Sequence, residues 1–228
     1  MAQKLSIVTL DTETIGLTPK NYVYDVGLVF HDKAGNIVCE YNALVKEIFT
    51  DGKMMTGAYF AAKTFSHYAP MLQSGEIMIK PWAQICQEIQ ALVIEHKVSV
   101  IAAYNLGFDK GAMTRTGQLL GSKAFPVPPL GKYKMLDIWL FACTTKLQQK
   151  AYHHLAHAMD WVSNAGNVKT TAENAFRYVS GQHDFDEDHT ALSDARIETK
   201  ILAECYRMKK KVPYGQLLQS PWKLAQVK

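Results

Sequence analysis

The spacing of apolar and polar positions along the chain changes several times, and each change predicts an element. Residues 5–10, LSIVTL, form a short apolar run, while 22–32, YVYDVGLVFHD, and 36–46, NIVCEYNALVK, read as two further strands. Lys33-Ala-Gly-Asn36 supplies a hairpin turn between the last two. Three sequential strands joined by short connections predict an antiparallel meander. Over residues 81–96, Ile85, Ile89, Leu92 and Val93 recur at helical spacing, and Pro81 suits a first turn. Residues 98–105, VSVIAAYN, read as a buried strand, 109–121 as a helix ending at Gly121, and 134–142, KMLDIWLFA, as a strand running into a helix. Strand, helix, strand, helix after a meander predicts a mixed sheet in an α/β fold. Further helices are expected at 171–179 and 191–210, separated by a stretch dense in carboxylates and imidazoles that ends in DEDHT.

Composition narrows the class. A chain of 228 residues that is 48% hydrophobic is long enough for one well-formed core, and its length favours one domain. No internal repeat or low-complexity segment is visible. The first residues, MAQKLSIVTLDTET, lack the longer apolar region of a secretory signal, and no apolar run approaches the roughly 20 residues a bilayer requires. A cytoplasmic protein with no membrane association is expected. Cys39, Cys86, Cys143 and Cys205 form no CxxC pair, so free thiols packed as small hydrophobes are expected rather than a zinc knuckle. The net charge of +4 permits a polyanionic partner without demanding one.

Candidate chemistry begins at LDTETIGL, residues 10–17. Side chains alternate along a strand, so Asp11 and Glu13 share one face, and open sheets place ligand sites at the carboxyl ends of their strands. Two like charges this close raise each other's pKa unless a cation sits between them. The pair is therefore either a divalent-metal site or an exposed strand end facing water. Asp109, in YNLGFD after the buried strand, is a second acid at a strand-to-helix junction, where an N-cap Asp also belongs, and Asn105 suits a turn. In DHTALSDARIE, His189 and Asp194 would stand about 140° apart on a common helix. If the helix begins near Thr190, His189 belongs to the preceding loop and can fold over a site that Asp194 addresses from the helix, which suits proton transfer.

LDTETIGL, YNLGFDKGAM and HTALSDARIE together resemble the three exonuclease motifs of the DEDDh superfamily, which includes the proofreading epsilon subunit, ribonuclease T and oligoribonuclease. The resemblance runs from about residue 5 to 206, and VYDVGLVF and KMLDIWLFA resemble the family's second and fifth strands. It implies a ribonuclease H-like fold with a mixed five-stranded sheet flanked by helices, over residues 1–211 with an insertion at 161–188 and a tail at 212–228. It also implies two divalent cations, Mg²⁺ or Mn²⁺: Asp11, Glu13 and Asp194 holding one, Asp11 and Asp109 the other, with His189 as general base. The H-x4-D spacing places the chain in the histidine branch, and residues 191–193 offer no tyrosine for the other branch. The implied activity is 3′–5′ exonucleolytic hydrolysis of single-stranded nucleic acid to 5′-mononucleotides. DNA is favoured and RNA is the alternative, since nothing in the sequence reports on a 2′-hydroxyl.

By the same resemblance Thr12, Thr14, Leu17 and Asn105 are candidate substrate contacts. Phe60, Phe65 and Tyr68 are either core aromatics or bases' stacking partners, and Phe65 is the one advanced as a contact. The chain departs from the family at Tyr104, where His is common, and at Ile15, where Thr is frequent. His153 and His157 stand at zinc-like i, i+4 spacing but without an HExxH glutamate, so exposed helix histidines are expected. RMKKK, 207–211, suits either phosphate contact or a helix carboxyl end. A phosphatase with a DxDxT nucleophile motif fits poorly, since Glu13 replaces the second aspartate. A non-catalytic nucleic-acid-binding or polymerase-associated module, docking a protein partner through the tail, is a third reading, and a homodimer is left open.

Overall fold

The computed structural model describes residues 6–16, 20–58, 61–121 and 133–226, without the side chains of 61–65. The strands are β1 (Ile7–Ile15), β2 (Tyr22–His31), β3 (Ile37–Val45), β4 (Ile79–Lys80), β5 (Val100–Ala103) and β6 (Lys134–Asp137). The helices are α1 (Lys46–Phe49), α2 (Gly52–Met55), α3 (Ala61–Ser74), α4 (Trp82–Glu95), α5 (Leu106–Leu119), α6 (Ile138–Cys143), α7 (Lys150–Ala158), α8 (Ala172–Ser180), α9 (Ala191–Arg207) and α10 (Trp222–Ala225). They form a mixed α/β fold around one sheet of order β4-β3-β2-β1-β5-β6. The meander β1-β2-β3 is antiparallel, while β5 and β6 run parallel to β1. The sheet has six strands rather than five, because the two-residue β4 pairs with the edge of β3 at Leu44 and Val45.

β1 lies in the middle of the sheet and carries alternating residues to two cores. Val8 and Leu10 join Val26, Leu28, Ile85, Ile89 and Met113 on one face. Ile7 joins Val100, Ala102, Phe141, Tyr152 and the α9 residues Ile201, Leu202 and Cys205 on the other. Each large apolar side chain buried in this way contributes about 1.5 to 3 kcal/mol relative to exposure. β1 is longer than the apolar run suggested. It continues through Asp11 and Glu13 to Ile15, because the β-branched residues Thr12, Thr14 and Ile15 keep the chain extended beside β2. The two acids therefore sit inside a paired strand and not beyond its end.

α9 crosses the sheet where β2 presents Gly27, the register partner of Asp11. A Cβ at Gly27 would lie 2.2 Å from the carbonyl carbon of Ala191 and 2.3 Å from the nitrogen of Leu192, so only glycine lets the amino end of α9 come so close. Thr190 makes no side-chain cap for α9. Asp25 of β2 takes that place, its Oδ2 accepting the Ala191 N–H at 2.9 Å and also the Tyr68 hydroxyl. Tyr68 is thereby a core residue, 1% exposed, and not a surface for stacking bases. Phe60, the side chain of Phe65, and Leu17 lie outside the described residues.

Residues 161–188 fold back on the α9 face. Val162 bridges Val168, α8 opens with the Thr171 hydroxyl accepting the Asn174 N–H at 3.2 Å, and Phe185 packs on Phe176 with ring centroids 4.6 Å apart. Residues 212–226 are packed as well: Val212 and Tyr214 lie against the α9-side core, and Gln226 joins the backbone of Val168 through both its amide atoms. His153 bonds the Ala225 carbonyl at 2.8 Å, whereas His154 and His157 are exposed. All four cysteines are free, Cys143 and Cys205 buried and Cys39 and Cys86 half-buried. No helix among the described residues is long and apolar enough to cross a membrane.

Candidate functional site

Three elements bring the motif acids together: β1 supplies Asp11 and Glu13, the first turn of α5 supplies Asp109, and the first turn of α9 supplies Asp194. α5 begins three residues ahead of Asp109, at Leu106, so Asp109 is not its N-cap. Asn105 occupies that position with a left-handed backbone, φ 67°, and makes no side-chain cap bond. This sharp turn, which Asn tolerates better than most residues, swings the chain from β5 into α5. Asp109 is 2% exposed and its Oδ1 accepts the Thr12 hydroxyl at 2.8 Å, a bond that ties α5 to β1.

His189 lies just before α9, with φ 57°. A left-handed backbone costs a residue with a Cβ about 1 to 2 kcal/mol. The turn is held by Asp188, whose Oδ1 accepts both the N–H and the hydroxyl of Thr190 at 3.0 Å. Glu13, His189 and Asp194 each place a ligand atom within 4.8 Å of the other two, the one such group of His, Cys or acidic side chains among the described residues.

The electrostatics of the cluster are severe. Burial, then the charges of Glu198, Asp109, Asp194 and Glu13, holds the Asp11 carboxyl well above the ordinary range. Burial followed by the charge of Asp25 pushes Glu13 to about 8, and burial followed by Glu187 and Glu13 pushes Asp194 to about 9. Asp109 rises to about 7 through burial, although its bond from Thr12 pulls the other way. Asp194 Oδ1 is buried without a hydrogen-bond partner among the described residues. Leaving such an atom unpaired costs about 1 to 3 kcal/mol, more when it is charged. A cation would answer both problems at once, and hard carboxylate oxygens suit Mg²⁺ or Mn²⁺.

Sequence reading missed three residues here. Glu198, one helical turn beyond Asp194, is 2% exposed and accepts the Tyr104 N–H at 3.0 Å, joining α9 to the end of β5. Its spacing on the Asp194 face of α9 was the available signal. Phe108, next to Asp109 in the chain, leaves 37% of its surface exposed. Gly27, a glycine inside a strand, signals close approach of another backbone. Tyr104, where the motif commonly has His, turns to the α9-side core and donates its hydroxyl to the Thr170 carbonyl at 2.6 Å. Thr12 is 5% exposed and Thr14 half-buried on β1, and Asn105 is exposed.

No family model matches the chain, and no curated protein sequence matches it. Solved structures do match in fold. E. coli Exonuclease I in complex with a dT13 oligonucleotide is 11% identical with a TM-score of 0.58, over 90% of this chain and 42% of that one. Its complex with a 5cy-dT13 oligonucleotide gives 14% identity and a TM-score of 0.56, over 91% and 41%. An apo Exonuclease I structure gives 15% and 0.56, over 89% and 42%. The chain thus spans about two fifths of the length of these structures, and it shares with them the fold of ribonuclease H-like exonucleases.

Proposed function

We propose that the chain is a metal-dependent 3′–5′ exonuclease that removes 5′-mononucleotides from the end of single-stranded DNA. The observation that carries this reading is the convergence of Asp11, Glu13, Asp109 and Asp194 from three elements, with His189 at 4.8 Å or less from two of them. The shared fold with Exonuclease I bound to dT13 supports it and favours DNA over RNA. In this reading the exonuclease domain is 1–211, with 161–188 inserted and 212–228 following.

Asp11, Glu13 and Asp194 would hold one divalent ion, and Asp11 with Asp109 a second. When bound, such a pair stabilises the attacking and leaving oxygens of an in-line displacement at phosphorus. His189, at the end of a loop and not within a helix, takes the proton of the attacking water as a general base. Thr12 keeps Asp109 in place through its hydroxyl, so its substrate contact is left to the backbone, while Thr14 and Asn105 bound the terminal nucleotide. Phe108 offers an exposed ring on which a base can stack.

Digestion of 5′- and 3′-labelled strands tests the reading, with single- and double-stranded DNA and RNA, in Mg²⁺, Mn²⁺ or chelator. A ladder shortening from the 3′ end of single-stranded DNA, abolished by chelator, is the expected result. Undiminished cleavage in chelator, or shortening from the 5′ end, would overturn it.

A further inference from the structure

Next to Asn105 lies a mostly apolar cleft of about 450 Å³ whose other lining residues have no part in the proposed chemistry. Tyr104, Asn105, Trp139, Lys169, Thr170 and Trp222 line much of it. Its aromatic wall is set in advance. The Tyr104 and Trp139 rings stack at 6.3 Å with planes 24° apart, and Thr170 fastens both, its carbonyl accepting the Tyr104 hydroxyl at 2.6 Å and its hydroxyl the Trp139 indole N–H at 2.8 Å. Trp222 also lines the cleft, and its backbone is held by Gln226, which donates to the Trp222 carbonyl at 2.9 Å and accepts the Val168 N–H at 3.0 Å. Lys169 is exposed at the cleft and offers a cation to a phosphate.

The cleft is also joined to the carboxylates. Tyr104 contributes its ring to the cleft and its N–H to Glu198, and Asn105 lines the cleft while beginning the helix that holds Asp109. We propose that this cleft is a second subsite of the same strand, taking one nucleobase between Trp222 and the Tyr104–Trp139 wall with its phosphate toward Lys169. The volume falls in the range of small-ligand sites, and planar rings with a few amide and hydroxyl groups suit a base whose identity varies. The subsite is built from the 161–188 insertion and the packed carboxyl-terminal helix, which gives both segments a task in holding substrate. The proposal rests on the nuclease reading above only for the identity of the strand.

Binding of a labelled eight-nucleotide oligothymidylate to the full chain in chelator tests it without turnover. Trp222→Ala is expected to weaken binding about tenfold, the scale of one stacked base, and Trp222→Phe to restore most of it. Ala172→Trp, which fills the cleft from α8, is expected to weaken binding comparably, with thermal unfolding unchanged in both variants. Affinity within twofold of the parent in both Trp222→Ala and Ala172→Trp, or no measurable binding by the parent, would overturn the proposal. Hydrolysis in Mg²⁺ with no effect of these variants would sink the subsite alone. The predicted binding losses with no hydrolysis by the parent would sink the nuclease reading and leave the subsite standing.

Discussion

Asp11 faces four other carboxylates, and its neighbours on β1 are committed to holding the arrangement: Thr12 donates to Asp109, and Glu13 pairs in register with Asp25. Replacing Asp11 with Ala removes the one side chain assigned to both ions. Its rate on a 3′-labelled single strand is expected to fall by at least 10² to 10³, about the scale of losing one fixed electrostatic contact in a transition state. His189→Ala is expected to cost about 10² to 10⁴ in rate, as loss of a general base does, while the thermal stabilisation given by added Mn²⁺ is largely kept. Loss of that stabilisation to the extent seen in Asp194→Ala would identify His189 as a ligand instead.

At the scale of elements, α9 is the part on which the site depends most. Its amino end is held by Asp25 through the Ala191 N–H, its body by buried Ile197, Ile201 and Leu202, and its outer face by Arg196, which binds both Glu40 oxygens at 2.7 and 2.8 Å. The exposed ion pair adds about 0 to 1 kcal/mol, so the close seat over Gly27 and the Asp25 bond decide where Asp194 stands. Gly27→Ala is expected to lift this end from the sheet, destabilising the fold by about 1 to 3 kcal/mol in denaturant unfolding and lowering activity although every acid remains. Unchanged stability would show that the backbone approach is looser than 2.2 Å implies. The helix expected at 191–210 begins at Ala191 and ends at Arg207, which meets the condition under which His189 belongs to the preceding loop. The capping by Asp25 and the contact at Gly27 were not legible, since each joins residues more than 160 positions apart. β4 escaped notice for another reason: two residues carry no alternation. Tyr68 read equally well as a stacking ring or as core, and only its bond to Asp25 decides for the core.

For the molecule as a whole, the buried acids are a stability problem that a bound cation would relieve. Carboxyl groups whose pKa is higher in the folded state than in the unfolded chain hold their protons more tightly when folded. Their contribution is complete below the ordinary range near 4 and is lost as pH rises through about 7 for Asp109, 8 for Glu13 and 9 for Asp194. In chelator the melting temperature is therefore expected to fall between pH 6 and pH 9. Added Mg²⁺ or Mn²⁺ is expected to bind the ionised cluster and restore stability, more at pH 8 than at pH 6. A melting temperature indifferent to both pH and metal would show that the carboxylates are solvated separately.

The most direct test of the account is a manganese titration of the whole chain, followed by electron paramagnetic resonance, beside its Asp11→Ala variant. The account predicts that the parent takes up two ions per chain and that the variant loses both at the same concentrations. Equal uptake by parent and variant, or none by the parent, would contradict it.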